Sequence, residues 1–373
     1  MILVLAAYAA IGFGQQTLTK TISNDGEDRS YILYIPASYS ADKAAPLVLN
    51  FHGYGSSALD QMRYGDFRYV ADTAGFIIVH PQGAVYEGST HWNVGSWVAG
   101  SPYDDVSFTE AVLDEVESNY TIDGSRIYST GMSNGGYMSF LLACQLSDRI
   151  AAVASVTGSM TPNNLLACNP QRPVPVLQIH GTNDAVVPYE GALWTQSVAS
   201  VLDYWTEENN CDPEPITFEL PDVNVQDGSM ATFYRYEQGD AGSVVEHIKI
   251  NGGRHTWPGT AFATPGTNLD FLASDAIWKF FLRYDIDGLV TAAKNVQEEE
   301  SIVLHYHADS HSLQLFGAVV PSSSYAVYDN TGTLVRKGSL DAANMVVDDL
   351  YLPVGTYIFS LEATSSYKFI VTH

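Results

Sequence analysis

Short apolar runs alternate with longer segments of helical spacing through most of the chain, from residue 15 to residue 284. Several of these runs are hydrophobic at consecutive rather than alternate positions, which is typical of strands buried on both faces. The runs cover residues 46–51, 76–79, 126–129, 151–156, 174–179, 233–236 and 246–250. Helices are predicted between them at 108–120, 135–146, 193–208 and 275–283. This alternation predicts a mostly parallel β-sheet with helices on both faces, an α/β fold.

The pattern changes at the C-terminal end. Residues 301–373 contain strand and turn signals only, including a hairpin signal at 326–329 and 333–336 around Asn330-Thr331-Gly332. We expect a small all-β, sandwich-like domain there. The polar stretch at 285–300 is predicted to be a linker between the two domains.

The N-terminal residues are apolar from Met1 to Phe13, and the small residues Gly12 and Gly14 follow the pattern of a signal peptidase site. We therefore predict a signal peptide over residues 1–14, with cleavage before Gln15, and an extracellular or cell-surface location. The alternative interpretation is a first buried strand. No later apolar run is long enough to span a bilayer.

Composition narrows the range of partners. The chain has 373 residues, 46% of them hydrophobic, and a formal net charge of −25. Such a charge disfavours nucleic acid and anionic membranes as partners, because both would repel the protein. It does not identify a substrate.

The clearest chemical motif is G-x-S-x-G, at Gly131-Met132-Ser133-Asn134-Gly135. It follows a predicted strand and precedes a predicted helix, which is the context of a nucleophile elbow in an α/β hydrolase. The sharp turn would present Ser133 above the sheet. A simple Gly-rich turn is the alternative.

An acid and a base follow Ser133 in the order that this fold uses. Asp184 comes after the strand at 174–179, and His255 lies on a later Gly-rich loop. His255 would accept the Ser133 proton while Asp184 orients the imidazole. By itself, Asp184 could equally be a helix-capping or turn residue.

The backbone amides of Tyr54 and Asn134 are the candidates for the oxyanion hole. Tyr54 follows the strand at 46–51, and Asn134 follows the nucleophile. Two other histidines, His52 and His180, precede glycines at strand ends and are expected to brace loops. No His or Cys spacing indicates a metal, and no cofactor is predicted.

Together these motifs resemble the polyhydroxybutyrate depolymerase-like esterases, which overlap with carbohydrate esterase family one. The resemblance rests on four ordered segments between residues 17 and 284, at Phe51-His52-Gly53, Gly131–Gly136, His180–Asp184 with Val187-Pro188, and His255–Gly259. The family often has Cys where this chain has Tyr54, which affects the expected acyl-pocket selectivity and not the backbone hole.

The resemblance implies a serine esterase acting on plant cell-wall polysaccharide esters or small esters. Feruloyl esters are the first choice, acetylxylan the second and short polyhydroxyalkanoates the third. It also implies that Trp92, in a Trp-Asn segment, lies near the substrate, although core packing of Trp92 is an equal alternative. Trp257 follows the base directly and is expected to line the cleft. A polysaccharide-binding protein without catalysis is the alternative from a different class.

Three cysteines allow one disulfide and leave one thiol. From the order of the predicted elements we favour Cys168 with Cys211, leaving Cys144 buried and free. Cys144 with Cys168 is the alternative.

The C-terminal region resembles the sorting domain of type IX secretion cargo in the Bacteroidota. The matching features are a Val-Tyr-Asp strand, a Gly turn, Leu352-Pro353-Val354-Gly355-Thr356-Tyr357 and the terminal Lys368-Phe369-Ile370. The resemblance implies recognition by the type IX machinery. A carbohydrate-binding module is the rival interpretation.

Overall fold

The computed structural model describes residues 14–290 and, in the C-terminal region, 303–307, 312–316, 324–329, 333–340, 346–347, 350–353, 355–361 and 365–371. The chain divides into two compact units, residues 1–290 and 291–373. The predicted signal peptide, apart from Gly14, lies outside the described residues, as does the 291–300 part of the predicted linker.

The first unit is built on a ten-stranded sheet in the order β1-β2-β4-β3-β7-β8-β9-β12-β11-β10. Its six central strands, β4 to β12 in that order, are parallel, and antiparallel pairs flank them on both sides. The strands are β1 Gln16–Asn24, β2 Glu27–Ile35, β3 Ala45–Phe51, β4 Ile77–Pro81, β7 Ile122–Met132, β8 Ala152–Val156, β9 Val176–Gly181, β10 Ile216–Glu219, β11 Met230–Tyr236 and β12 Val245–Asn251.

Among residues 14–290, two further hairpins, seven α-helices and two short 3₁₀ helices complete this unit. The hairpin strands are β5 Ala84–Tyr86, β6 Ser89–His91, β13 Tyr284–Asp285 and β14 Gly288–Leu289. The helices are α1 Ala58–Tyr64, α2 Arg68–Ala74, α3 Asp105–Asn119, α4 Asn134–Gln145, α5 Pro162–Ala167, α6 Val198–Glu208 and α7 Ala273–Phe281.

The central strands are apolar on both faces because each face carries its own core. Along β3, Leu47 and Leu49 belong to the cluster that also contains residues of α3, α4 and α6. Val48 belongs to the opposite cluster, with residues of α2 and α7. Side chains alternate between the two faces of a strand, so successive residues of a doubly covered strand are buried and most of them are hydrophobic. This confirms the predicted layered α/β architecture.

The predicted linker, residues 285–300, includes residues that belong to the first unit. Residues 284–289 form the β13–β14 hairpin, which belongs to the first unit. Tyr284 and Asp285 are buried, and the Ile286 amide donates a hydrogen bond to the Ser125 carbonyl at 2.8 Å. The polar composition of this stretch reflects a tight turn rather than a free connection.

The described part of the second unit consists of strands in two sheets, ordered β15-β16-β19 and β18-β17-β20-β21. Antiparallel pairing of β17 with β18 confirms the predicted hairpin. The strands are β15 Val303–His307, β16 Ser312–Phe316, β17 Ser324–Asp329, β18 Leu334–Ser339, β19 Val346–Val347, β20 Gly355–Leu361 and β21 Ser365–Val371.

Candidate active site

Ser133 occupies the sharp turn between β7 and α4. Its backbone has φ 56° and ψ −122°, a conformation that non-glycine residues rarely adopt and that is held by the surrounding structure. Its amide donates to the Val156 carbonyl at 2.9 Å, which ties the turn to the end of β8. Ser133 therefore stands at the carboxyl edge of the central strands, where ligands bind in open α/β sheets.

The glycines around Ser133 let α4 approach the sheet closely. A Cβ atom at Gly135 would collide with the Phe51 carbonyl oxygen, and one at Gly136 would lie 3.0 Å from Cα of Gly158. Only hydrogen fits at these two positions. Gly135, the last residue of the motif, and Gly136 are therefore required by packing against β3 and the segment after β8.

Asp184 and His255 form the orienting pair that the chain order predicted. Oδ2 of Asp184 accepts a hydrogen bond from Nδ1 of His255 at 2.7 Å. The other carboxylate oxygen accepts the amides of Val186 and Val187, both at 2.8 Å. Because Nδ1 carries the proton, Nε2 of His255 is left with a free lone pair and can act as a base. The side chain of His255 is 18% exposed, whereas that of Asp184 is fully enclosed.

A second histidine supports the carboxylate. Nε2 of His180 lies 3.4 Å from Oδ2 of Asp184 and donates to the Val187 carbonyl at 2.9 Å, while Nδ1 accepts from Gln178 at 2.9 Å. Burial alone would raise the pKa of Asp184. The N–H groups of His180 and His255 outweigh burial and hold this pKa well below its usual range, so the carboxylate stays ionised.

Topology brings Ser133 to the same edge as this pair. Ser133 follows β7, Asp184 follows β9 and His255 follows β12, and these strands run parallel within the order β7-β8-β9-β12. The carboxyl ends of parallel neighbours share one sheet edge. The nucleophile, acid and base therefore all lie on loops at that edge.

The segment after β3 approaches the nucleophile. A Cβ atom at Gly53 would lie 3.4 Å from Cβ and 4.0 Å from Oγ of Ser133. The amide of Tyr54, the next residue, makes no hydrogen bond to any group of residues 14–290, and neither does that of Asn134. Asn134 is the first residue of α4, where amides have no partner within the helix. One unpaired amide thus directly follows Ser133, and the other follows the glycine that approaches Ser133, so both remain candidates for an oxyanion hole.

His52 braces this segment, as expected for a histidine before a glycine. Nδ1 donates to the Gly53 carbonyl at 2.7 Å, and Nε2 accepts the Gly83 amide at 2.9 Å. Burial lowers the pKa of His52 to about 4, so its ring is neutral at neutral pH. The Gly55 amide adds a bond to the Thr90 carbonyl at 2.8 Å.

The ring of Trp92 is fully buried. This contradicts the prediction that Trp92 contacts the substrate and favours the alternative, core packing. The indole nitrogen donates to the His52 carbonyl at 2.8 Å, and the ring packs edge-on against Phe51 with centroids 5.0 Å apart. The Asn134 side chain exchanges two hydrogen bonds with the Trp92 backbone. Trp92 instead supports the two segments that carry the candidate oxyanion amides.

Trp257 is also almost completely buried, at 1% exposed. Its ring packs edge-on against Phe67 and forms part of the wall of a cleft of about 420 Å³ that also includes Tyr69 and Phe262. Its role in substrate binding stays a prediction.

The predicted disulfide was wrong. Cys144 is bonded to Cys168, and Cys211 is a buried free thiol. The bond joins the last turn of α4 to the residue after α5. Cys211 instead faces the Ser243 carbonyl, 3.8 Å from its sulfur. Sequence order places all three cysteines at one end of the sheet and does not distinguish between these pairings.

Sequence reasoning also missed Trp194, which lies between the acid and α6. No motif marks it. It is found only because its ring meets that of Trp97 in the folded protein, with centroids 5.1 Å apart.

Within the described residues, no group of three or more His, Cys, Asp or Glu side chains is arranged to hold a metal ion. The described helices also include none that is long and apolar enough to cross a membrane.

The sheet, the serine elbow and the Asp–His pair define the α/β-hydrolase fold. Residues 29–169 match the family model described as Esterase PHB depolymerase. The S-formylglutathione hydrolase from Agrobacterium tumefaciens is a structural neighbour with a TM-score of 0.50 and 12% sequence identity. The match covers 76% of this chain and 99% of that one. This likeness shows the fold alone.

Two curated relatives connect the chain with carboxylic ester hydrolases. The bifunctional acetylxylan esterase/xylanase XynS20E from Neocallimastix patriciarum is 28% identical over 280 residues, covering 74% of this chain and 37% of the relative. Feruloyl esterase B from Piromyces equi is 32% identical over 238 residues, covering 61% of this chain and 42% of the relative. The chain thus spans about two fifths of the length of these two proteins.

Proposed function

We propose that this protein is a serine carboxylic ester hydrolase. The observation that carries the proposal is the 2.7 Å hydrogen bond between Asp184 and His255 at the sheet edge where Ser133 stands. This arrangement contains the parts that acyl transfer needs, namely a nucleophile, an oriented base and oxyanion donors. The similarity to named esterases supports it.

In the proposed reaction, Oγ of Ser133 attacks the ester carbonyl carbon while Nε2 of His255 takes its proton. The amides of Tyr54 and Asn134 stabilise the oxyanion. The tetrahedral intermediate collapses with loss of the alcohol, which receives the proton from His255, and an acyl-enzyme remains. His255 then activates a water molecule that releases the acid. Asp184 remains ionised throughout and stabilises the imidazolium.

We propose plant cell-wall esters as the substrate class, with feruloyl esters first and acetylated xylan second. Relatives named for each activity support this choice. Short polyhydroxyalkanoates rank third, in keeping with the description of the matching family model.

Replacing the nucleophile tests the reaction. Ser133→Ala should lower kcat on p-nitrophenyl acetate at least about 10³-fold, whereas Ser118→Ala, on the exposed surface of α3, should leave kcat unchanged. Hydrolysis that persists in Ser133→Ala would refute the proposed mechanism. Rates on methyl ferulate and acetylated xylan then test the acyl group, and a methyl ferulate rate at background would exclude the feruloyl choice.

We propose further that the protein is exported and that residues 301–373 direct this step through type IX secretion. The support is the sequence resemblance described above. Fused to a signal peptide and a fluorescent reporter, this region should carry the reporter to the surface of a bacterium that has the type IX system. Retention in the periplasm would contradict the proposal.

A further inference from the structure

Two tryptophans meet on the surface near the nucleophile helix. The rings of Trp97 and Trp194 pack edge-on, with centroids 5.1 Å apart and planes at 85°. Trp97 is 38% exposed, and Leu193 beside Trp194 is completely exposed. Large apolar side chains gathered at a surface are a recognised sign of a binding site.

The pair is held in place by hydrogen bonds between loops. Oγ of Ser96 donates to the Trp194 carbonyl at 2.9 Å. Ala192 and Thr195 pair as an isolated β-bridge, so that Leu193 and Trp194 form the tip of a tight turn. The Thr195 hydroxyl is hydrogen-bonded to that of Tyr137. These hydrogen bonds hold the two loops, and therefore the two indole rings, in fixed positions relative to each other.

The pair also lies close to the proposed chemistry. The Trp97 ring packs edge-on against Tyr137, with centroids 5.0 Å apart. Tyr137 is in the first turn of α4, and its amide donates to the Ser133 carbonyl at 3.0 Å. One helical turn and one ring contact therefore connect the tryptophans with the nucleophile.

The chemistry of this surface favours a neutral ligand with apolar faces. The side chains that build it, Trp97, Trp194 and Leu193, carry no charge, and the protein as a whole has a net charge of −25. A negatively charged ligand would be repelled by that charge. Sugar rings present C–H faces that pack on indole, together with hydroxyls that remain in water. An exposed tip also suits a polymer that extends from the site better than a small acyl group that must be enclosed.

We propose that Trp97 and Trp194 form a subsite for neutral sugar residues of the polysaccharide that carries the ester. This inference rests on the proposed esterase function and concerns the alcohol side of the substrate. It predicts that the tryptophans contribute to hydrolysis of polymeric substrates and not of small esters.

The test compares two substrates in the full-length protein. Trp194→Ala should lower kcat/KM on feruloylated arabinoxylan by about fivefold to tenfold, the range that one ring contact contributes. It should change kcat/KM on methyl ferulate less than twofold. Trp194→Phe should recover most of the polymer activity. The matched control is Phe218→Ala, which removes an exposed aromatic from the edge strand β10. Equal losses on both substrates, or none on the polymer, would overturn the proposal.

A binding measurement separates this inference from the esterase proposal. In native gels that contain soluble arabinoxylan, Ser133→Ala protein should be retarded, and Ser133→Ala/Trp194→Ala protein should migrate as it does without the polysaccharide. Retardation that survives the second substitution would refute the subsite. Because no hydrolysis is involved, failure of the esterase proposal alone would leave the Trp194-dependent retardation intact.

Discussion

Asp184 illustrates how much of the site depends on single side chains. One of its oxygens is occupied by two backbone amides, which fix the carboxylate, and the other is directed at His255. His180 approaches this second oxygen from inside the protein. A turn-forming role and an orienting role, which were alternatives from the sequence, are thus performed by the same residue with different atoms.

The pKa of Asp184 makes its contribution to stability depend on pH. The folded pKa lies below the ordinary value of 3.8, so the ionised carboxylate stabilises the native state above pH 3.8. As pH falls from 3.8 towards the folded pKa, the unfolded state binds more protons and this stabilisation is lost. One such group contributes a slope of at most about 1.4 kcal/mol per pH unit.

His180→Phe should make that dependence shallower, because it removes one of the N–H groups that lower the Asp184 pKa. The measurement is the free energy of unfolding in urea at several pH values between 2 and 4. Val201→Ala is the matched control, since Val201 is also buried, in α6, and carries no titratable group. We expect it to lower stability without changing the slope. Parallel curves for wild type and His180→Phe would contradict the assigned role of His180.

At the scale of elements, the disulfide decides how α4 and α5 are connected. Cys144 and Cys168 close a loop with a sequence separation of 24. Loops of this length are stabilised by about 3 kcal/mol when cross-linked, mainly because the unfolded chain loses freedom. α5 has no buried residues of its own, so the bond fixes an element that packing alone holds weakly.

Cys144→Ala should therefore lower the free energy of unfolding by about 3 kcal/mol in urea without reductant. Thiol titration of the unfolded, unreduced protein gives an independent result. Wild type should show one thiol, Cys144→Ala two and Cys211→Ala none. No free thiol in Cys144→Ala would instead indicate a bond between Cys168 and Cys211.

At the scale of the whole molecule, every residue assigned to the site lies in the first compact unit. That unit has its own two-sided core, which is the physical condition for folding alone. None of the described residues of the second unit is assigned a part in the proposed reaction.

A chain that ends after Val290 should therefore keep its activity on p-nitrophenyl acetate, with kcat/KM within about twofold of the full-length value. Circular dichroism of the truncated protein checks that it is folded. The truncation point matters, because a chain that ends after Tyr284 would lose the β13–β14 hairpin and its bond to Ser125. A folded but inactive 1–290 protein would show that the second unit takes part in catalysis.

Features with a local cause were predictable from the sequence. The buried strands follow from continuous apolar runs, and the elbow from glycines that only a tight turn requires. The order of Ser133, Asp184 and His255 follows from each residue being next to a strand end, where a parallel sheet brings separate segments to one edge. Oxyanion candidates could be named for the same reason, since backbone amides depend on position and not on side chain.

Only the tertiary structure decided which side chains face the interior and which are exposed to solvent. Trp92 and Trp97 lie on one short loop with similar surroundings in the sequence, yet the first is buried against the end of β3 and the segment after it, and the second meets Trp194 on the surface. Cys144 was paired with Cys168, and His180 was brought to Asp184, by contacts between helices, strands and loops. Such contacts depend on how elements pack in three dimensions, and periodicity along the chain carries no information about them.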